Sequence, residues 1–285
     1  MRFPRQVSGI PRRSDVHELR EDVVYAEVDG IPLRYDHYRP VRVDAPAPVV
    51  VFVHGGGWMH GDPSQAAGNA LHFARHGIAT ISLSYRLAPA HRFPAPLDDV
   101  RHGLRYVCAH ATELGIAPER IALLGLSAGA HLVMLAHLAR DVPGLAPALS
   151  DPALRDATED VQAVVAHYGP YDLGRRAVLS PELDMIGALL GARGEDPEWV
   201  RLASPLHHVA SAPATAPVLL VHGTGDTLVS YRESERMHRA LTTAGRVSEL
   251  LLLEGAPHAF QLDWRGRANQ QANAAMDAFL ARHLL

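Results

Sequence analysis

Apolar segments of strand-like length alternate with helix-like segments from about residue 45 to the end of the 285-residue chain. Several of these segments, such as PVVVFVHGG at 48–56 and APVLLVHG at 216–223, are unbroken apolar runs that end in glycine. Such runs are typical of strands covered by helices on both faces. Two alternating segments within 23–40, on either side of Asp29-Gly30, predict an antiparallel hairpin at the start of the sheet. The sequence therefore predicts an α/β fold with a mostly parallel central sheet and helices on both faces.

Two segments do not follow this alternation. Residues 1–20 are predicted to form an irregular or helical arm, and residues 170–204 a small cap-like insertion. An insertion that follows a strand is a common place for a binding loop. Because neither internal repeats nor low-complexity segments occur, residues 1–285 are interpreted as a single domain.

The composition disfavours several classes of partner. The formal charge is -4 and the arginines are scattered, so nucleic acid is not expected as a partner. No apolar run approaches the roughly 20 residues of a membrane span, and the N-terminal segment lacks the apolar core of a secretory signal. Cys108 is the only cysteine, which suits a reducing compartment. We therefore expect a cytoplasmic protein without a membrane partner; the sequence leaves homo-oligomerisation open.

The chain contains no lysine, so all 27 of its Lys and Arg residues are arginines. Schiff-base chemistry, a Walker-type phosphate site and a Ser-Lys dyad are therefore excluded. A nucleophilic serine in this protein must take its base from a histidine or a carboxylate, and there are 18 histidines.

The segment GLSAGAHL at 125–132 follows the apolar run IALL and precedes helix-forming residues. A strand, a tight turn and a helix are predicted, with Ser127 on the turn between Gly125 and Gly129. Glycine is required where a side chain would collide with the neighbouring strand or helix. This is the context of a G-x-S-x-G nucleophile elbow, in which a serine hydroxyl is exposed at the edge of the sheet.

Parallel sheets carry their sites at the carboxyl ends of the strands. Ser127, Asp226 and His258 each follow a predicted strand, in the chain order serine, acid, histidine. In acyl-transfer chemistry the histidine takes the serine proton, and the acid orients the histidine. Asp172, which follows the preceding predicted strand, is the alternative acid; we favour Asp226 because HGTGD directly follows a strand.

Five motifs together resemble the esterase and lipase branch of the α/β-hydrolases, and more narrowly the hormone-sensitive-lipase and feruloyl-esterase-like carboxylesterases. They are HGGGW at 54–58, YRLAPAHRFPAPLDD at 85–99, GLSAGAHL at 125–132, HGTGDTLV at 222–229 and GAPHAF at 255–260. The likeness covers roughly residues 45–285. Ala130 departs from the pattern, because many relatives carry glycine there.

The resemblance implies an α/β-hydrolase fold and a catalytic triad of Ser127, Asp226 and His258, with no cofactor and no metal. An oxyanion hole needs fixed backbone N–H donors, and Gly56, Gly57 and Ala128 are the predicted donors, with Gly55 left open. Trp58 is predicted either to bind substrate at the mouth of the site or to pack.

The remaining polar groups are interpreted as structural. His54 is expected to brace the glycine loop, and His167 and His222 are expected to be buried with their hydrogen bonds satisfied. His72 and His76 have the spacing of a metal pair, but no third ligand stands out, so an exposed helix face is expected. Arg86, Asp98 and Asp99 are expected to form a structural cluster of ion pairs and caps.

The predicted function is hydrolysis of a small-molecule carboxylic ester with a short acyl group through an acyl-enzyme. Neither residues 1–20 nor residues 170–204 offer the long apolar stripe of an interfacial lid. The absence of this stripe favours short, water-soluble substrates. An arylformamidase-like amide hydrolase with the same triad is the alternative, since both reactions pass through a tetrahedral intermediate. A non-catalytic small-molecule receptor is disfavoured because all three triad residues are present.

Overall fold

Eight strands form one mixed sheet in the computed structural model, which describes residues 15–41, 46–147, 151–175, 184–213 and 216–285. The strand order is β1-β2-β4-β3-β5-β6-β7-β8. The strands are β1 (Val16–Val28), β2 (Ile31–Pro40), β3 (Ala47–Val53), β4 (Ala79–Leu83), β5 (Ile116–Leu126), β6 (Ala163–His167), β7 (Val218–Gly223) and β8 (Ser248–Leu253).

Among the eight described strands, only β2 runs against the others. The β1 strand pairs antiparallel with β2, and β2 pairs antiparallel with β4. All pairs from β4 through β3 to β8 are parallel. The carboxyl ends of β3, β5, β6, β7 and β8 therefore lie along one edge of the sheet, and the predicted mostly parallel architecture is confirmed.

Helices cover both faces of the sheet. The helices are α1 (Ala67–Ala74), α2 (Ala95–Ala109), α3 (Ala111–Leu114), α4 (Ala128–Leu138), α5 (Pro152–Arg155), α6 (Met185–Leu190), α7 (Pro197–Leu202), α8 (Arg232–Thr243) and α9 (Arg267–His283). Alternate residues of β3 belong to two cores, since successive side chains of a strand point to opposite faces. Val51 packs in the core that contains apolar residues of α2, α4 and α8, and Phe52 packs in the core that contains those of α1 and α9.

The first strand begins earlier than the sequence predicted. Residues 16–20, expected to belong to an arm, pair with β2 instead, and residues 1–14 lie outside the described part of the chain. The charged residues of β1 hide its alternation, and register shifts on either side of Arg20 disturb it further. The Glu18 carboxylate contacts Arg39 of β2 at 2.9 Å, which places this charge on the ladder rather than in a loop.

The predicted insertion at 170–204 contains two short helices between β6 and β7, with residues 176–183 outside the described chain. Leu189 and Leu190 of α6 are buried, and Leu189 O accepts a hydrogen bond from Phe93 N. Trp199 of α7 packs edge-on against the Phe93 ring. The described part of the insertion therefore packs on the core beside the edge where β5 ends.

No helix within the described ranges combines the length and the apolar character that a membrane span requires.

Candidate active site

Ser127 lies in a strained turn between β5 and α4. Its φ of 52° and ψ of -114° are unfavourable for a residue with a Cβ. A Cβ at Gly125 would overlap the carbonyl of Gly129, and one at Gly129 would overlap the carbonyl of Val53. The two glycines thus allow β5 to turn directly into α4, which leaves the Ser127 hydroxyl at the carboxyl edge of the sheet.

The three residues predicted from chain order meet at this edge. The Ser127 Oγ lies 3.0 Å from His258 Nε2, and His258 Nδ1 lies 2.6 Å from Asp226 Oδ2. Because a carboxylate only accepts, Nδ1 carries the proton, and Nε2 is free to accept the serine hydroxyl. The arrangement has the geometry of a nucleophile, a base and an orienting acid.

Asp226 is held as an anion by its surroundings. Burial alone would raise the pKa of its carboxyl, but hydrogen bonds from His222, His258 and Val229 N outweigh burial and hold the pKa well below its ordinary value. Its Oδ1 accepts the N–H groups of Leu228 and Val229, both at 2.9 Å. The loop after β7 therefore fixes a negative charge behind His258.

The alternative acid, Asp172, faces another set of partners. Its carboxylate lies 3.3 Å from Arg175, 3.6 Å from Arg236 and 3.7 Å from His207. Its backbone N–H donates to Glu233 of α8. These contacts attach the loop after β6 to α8 and give Asp172 no position behind His258.

The three N–H groups predicted to form the oxyanion hole, those of Gly56, Gly57 and Ala128, have no backbone acceptor in the described chain. Gly56 and Gly57 have φ values of 115° and 60°, and Gly56 O accepts from the N–H groups of Met59 and His60. The glycine loop is thus a tight turn whose own donors remain available. Ala128 is the first residue of α4, so its N–H adds to the positive end of the helix.

Trp58 packs in the core rather than on an open surface. It is 3% exposed, and its indole Nε1 donates to His131 Nδ1 at 3.3 Å. His131 Nε2 in turn lies 2.7 Å from the carbonyl of Ala203. The structure supports the packing alternative for Trp58, and His131, which the sequence did not single out, joins the glycine loop to α4 and to the segment after α7.

The three strand-end histidines differ in their hydrogen bonding. His54 braces the glycine loop as expected: Nδ1 lies 2.9 Å from Gly55 O, its ring stacks on Tyr85, and burial lowers the pKa of the imidazole to about 4. His222 is satisfied, with Nδ1 2.8 Å from Ser234 Oγ and Nε2 2.9 Å from Val229 O. His167 contradicts the expectation, because neither of its ring nitrogens has a partner among the described residues.

His72 and His76 do not form the exposed helix face that was expected. Their side chains are each 11% exposed, and both approach Asp277 of α9. The third residue comes from a helix about 200 positions away in the chain, so sequence spacing gave no sign of it.

The remaining polar cluster is only partly as expected. Arg86 pairs with Asp99 at 2.9 Å and with Asp29 at 2.7 Å. Asp98 does not join it, and its Oδ1 is buried without a partner in the described chain. Burial, followed by the charge of Asp99, raises the pKa of the Asp98 carboxyl to about 7.

A mostly parallel eight-stranded sheet with a Ser-His-Asp constellation at its carboxyl edge defines an enzyme of the α/β-hydrolase class. The chain belongs to the BD-FAE family, whose model matches residues 35–241. The family resemblance seen in the motifs is thereby confirmed.

Named relatives and solved structures agree with this family. Esterase LipC of Mycobacterium tuberculosis is 33% identical over 282 residues, covering 96% of this chain and 67% of the relative. A probable carboxylic ester hydrolase of the same organism, LipM, is 31% identical over 270 residues, covering 91% of this chain and 60% of the relative. The chain thus spans about two thirds or less of the length of these two curated relatives.

An esterase from the Planctomycetes species Thermogutta terrifontis, solved with propionate bound, is similar to this chain with a TM-score of 0.76. The two proteins are 27% identical, and the similarity covers 95% of this chain and 96% of the esterase. The same esterase has been solved with butyrate bound.

Proposed function

We propose that this protein is a carboxylesterase that hydrolyses short-chain carboxylic esters through an acyl-enzyme on Ser127. The observation that carries the proposal is the continuous chain of contacts from Ser127 Oγ through His258 to Asp226, at 3.0 and 2.6 Å. The family and the ester-hydrolase names of the relatives support the same reaction class.

The residues divide the reaction between them in two steps. Ser127 Oγ attacks the carbonyl carbon of the ester while its proton passes to His258 Nε2. The C–O bond to the alcohol then breaks, and the alcohol leaves with that proton. Water repeats the sequence on the acyl-enzyme and releases the carboxylic acid and the free Ser127 hydroxyl. Asp226 stabilises the imidazolium form of His258 in both steps.

The developing negative oxygen is bound by the N–H groups of Gly56, Gly57 and Ala128. Because these donors are fixed by the loop and by α4, little reorganisation is needed when charge develops. Removing one donor of such a hole typically costs about 3 kcal/mol of transition-state stabilisation.

The side chain of Met185 supports a preference for short acyl groups. A Cβ on Gly57 would overlap the Met185 thioether, so this side chain lies directly against the glycine loop. Substrate bound with its carbonyl oxygen at Gly57 meets Met185 within a few atoms of the reacting carbon. The propionate and butyrate found in the Thermogutta terrifontis esterase are acyl groups of that short length.

The proposal is tested with p-nitrophenyl acetate, butyrate, octanoate and palmitate, together with an N-formyl anilide. We expect kcat/KM to peak at acetate or butyrate and to be far lower for palmitate and the anilide. In Ser127→Ala, kcat should fall by about 10⁴ or more. A higher kcat/KM for the N-formyl anilide than for every ester would support the amide hydrolase instead, and residual activity of a tenth in Ser127→Ala would remove Ser127 from the mechanism.

We further propose that the protein acts in a reducing compartment such as the cytoplasm. Cys108 is the single cysteine, and burial raises the pKa of its thiol to about 12, which keeps it unreactive. Fractionation of the source cells with an antibody to the protein tests this location, and recovery outside the cytoplasm would contradict it.

A further inference from the structure

Two imidazoles and one carboxylate converge where α1 packs beside α9. His72 Nε2 lies 2.7 Å from Asp277 Oδ1, and His76 Nε2 lies 3.6 Å from Asp277 Oδ2. The three side chains each offer one ligand atom within 4.8 Å of the other two. In the described part of the chain, no other three His, Cys, Asp or Glu side chains form such a group.

These groups are the ligands that a late first-row metal ion prefers. Imidazole nitrogen suits Zn²⁺, and carboxylate oxygen completes many zinc sites. With metal–ligand distances of about 2.0–2.2 Å, two ligands of a tetrahedral ion lie about 3.3 Å apart. The observed separations of 2.7 Å to Asp277 Oδ1 and 3.6 Å to Asp277 Oδ2 bracket that value.

The Asp277 end of the cluster leaves room for a fourth ligand. The Asp277 side chain is 24% exposed. A water molecule can therefore complete the coordination from the solvent side.

The position of the cluster links two segments that reach the active site. Helix α1 follows the glycine loop, and α9 follows the loop that carries His258. The two segments also meet at Gly68 of α1, where a Cβ would overlap the ring of Trp264, three residues before α9. The starts of both helices are therefore already in contact. His76 lies eight residues after Gly68, in the turn that follows α1, and forms the second point of attachment.

We propose that His72, His76 and Asp277 bind one Zn²⁺ ion that clamps α1 to α9. The ion is structural: the cluster touches neither Ser127 nor His258, and no step of ester hydrolysis requires it. Binding to the folded state alone raises the stability of that state.

Titration calorimetry with ZnCl₂ on the metal-stripped full-length protein tests the proposal. We expect one saturable site, a rise in Tm of several degrees with zinc, and no comparable effect of MgCl₂, because Mg²⁺ prefers oxygen ligands. The same binding is expected in Ser127→Ala and His258→Gln, which separates this site from the active site.

The variants His76→Gln and Asp277→Asn should each weaken zinc binding at least tenfold and abolish the rise in Tm. His110→Gln, a half-buried histidine outside the cluster, is the matched control and should bind zinc like the wild type. Each variant's Tm in EDTA is its own baseline, so lower intrinsic stability does not obscure the result. Absence of saturable binding, or unchanged binding in both cluster variants, would overturn the proposal.

Discussion

At the scale of single residues, the carboxylate of Asp226 is the most constrained group in the site. Two backbone N–H groups bind one oxygen, while His258 binds the other at 2.6 Å and His222 lies 3.3 Å from the same atom. The carboxylate is therefore fixed in both orientation and charge. This arrangement gives His258 one tautomer and keeps the acceptor nitrogen toward Ser127.

Replacing Asp226 by asparagine should lower kcat by about 10⁴, because the amide favours the wrong tautomer of His258. The matched control is Asp172→Asn, which should retain kcat within a factor of ten because that carboxylate pairs with arginines and His207. Rates on p-nitrophenyl butyrate measure both. If Asp172→Asn is the crippling change, the assignment of the acid is wrong.

His222 is predicted to be a positioning residue. Its Nε2 faces two acceptors, Val229 O and Asp226 Oδ2, so it carries a proton and donates. We expect His222→Leu to lower kcat roughly ten- to hundredfold, the size of a lost hydrogen bond to a charged group, with little change in KM. His222→Gln, which retains an N–H donor near the same place, should recover most of the rate. Equal losses of kcat in the two variants, with KM unchanged, would indicate a purely structural role.

At the scale of elements, the turn between β5 and α4 shows what the sequence determines. A side chain at position 125 would overlap the backbone of Gly129, and one at position 129 would overlap the backbone of Val53. The strand-turn-helix pattern predicts this need for glycine. The same reasoning predicts the strands and the order in which catalytic residues follow them. It also predicts the contact of Ser127, Asp226 and His258. Local pattern and chain order were therefore sufficient where a residue's position is set by the end of the strand that it follows.

Contacts between distant elements were not predictable in the same way. Asp277 meets His72 across two helices, and His131 meets Trp58 and Ala203 across three segments. Nothing in the local spacing of these residues specifies the partner, because packing of helices on the sheet decides it. The early start of the first strand was missed for a related reason: Glu18 pairs with Arg39 of β2, which lies beyond the local pattern.

Helix α6 should set the acyl-chain length through Met185. Met185→Ala removes the thioether beside Gly57, so we expect the ratio of kcat/KM for octanoate to that for butyrate to rise severalfold. Met185→Leu keeps the volume and is the control that should retain the wild-type ratio. The same ratio in Met185→Ala as in the wild type would show that the acyl group does not pass this side chain.

At the scale of the whole molecule, the fold keeps five buried histidines neutral. Burial is the largest cause in each case: it lowers the pKa of His37, His54, His131 and His137 to about 4 and that of His167 to about 3. An unfolded chain exposes the same rings, which then titrate near the ordinary value of about 6.5. Between these values the unfolded state binds more protons than the folded state.

Stability should therefore fall as the pH decreases from about 6.5 toward 4. In that window each of these five histidines binds up to one more proton in the unfolded state than in the folded state. Each such proton changes the free energy of unfolding by about 1.4 kcal/mol per pH unit. Asp98 acts in the opposite direction, because its pKa is raised to about 7 and the folded state holds its proton first. For these six groups, five histidines against one carboxyl, the net difference is roughly four protons, which predicts acid destabilisation above the titration range of ordinary carboxylates.

Urea unfolding at pH 7, 6 and 5 measures this difference as the slope of the unfolding free energy against pH. Asp98→Asn is the informative variant: it removes a group that opposes this trend, so its stability should fall more steeply with decreasing pH than that of the wild type, by about one proton. At pH 7 and above the same variant should be at least as stable as the wild type. The substitution removes a buried carboxylate charge whose Oδ1 has no partner in the described chain. An unfolding free energy that stays constant from pH 7 to pH 5 would mean that these imidazoles are not kept neutral by the fold.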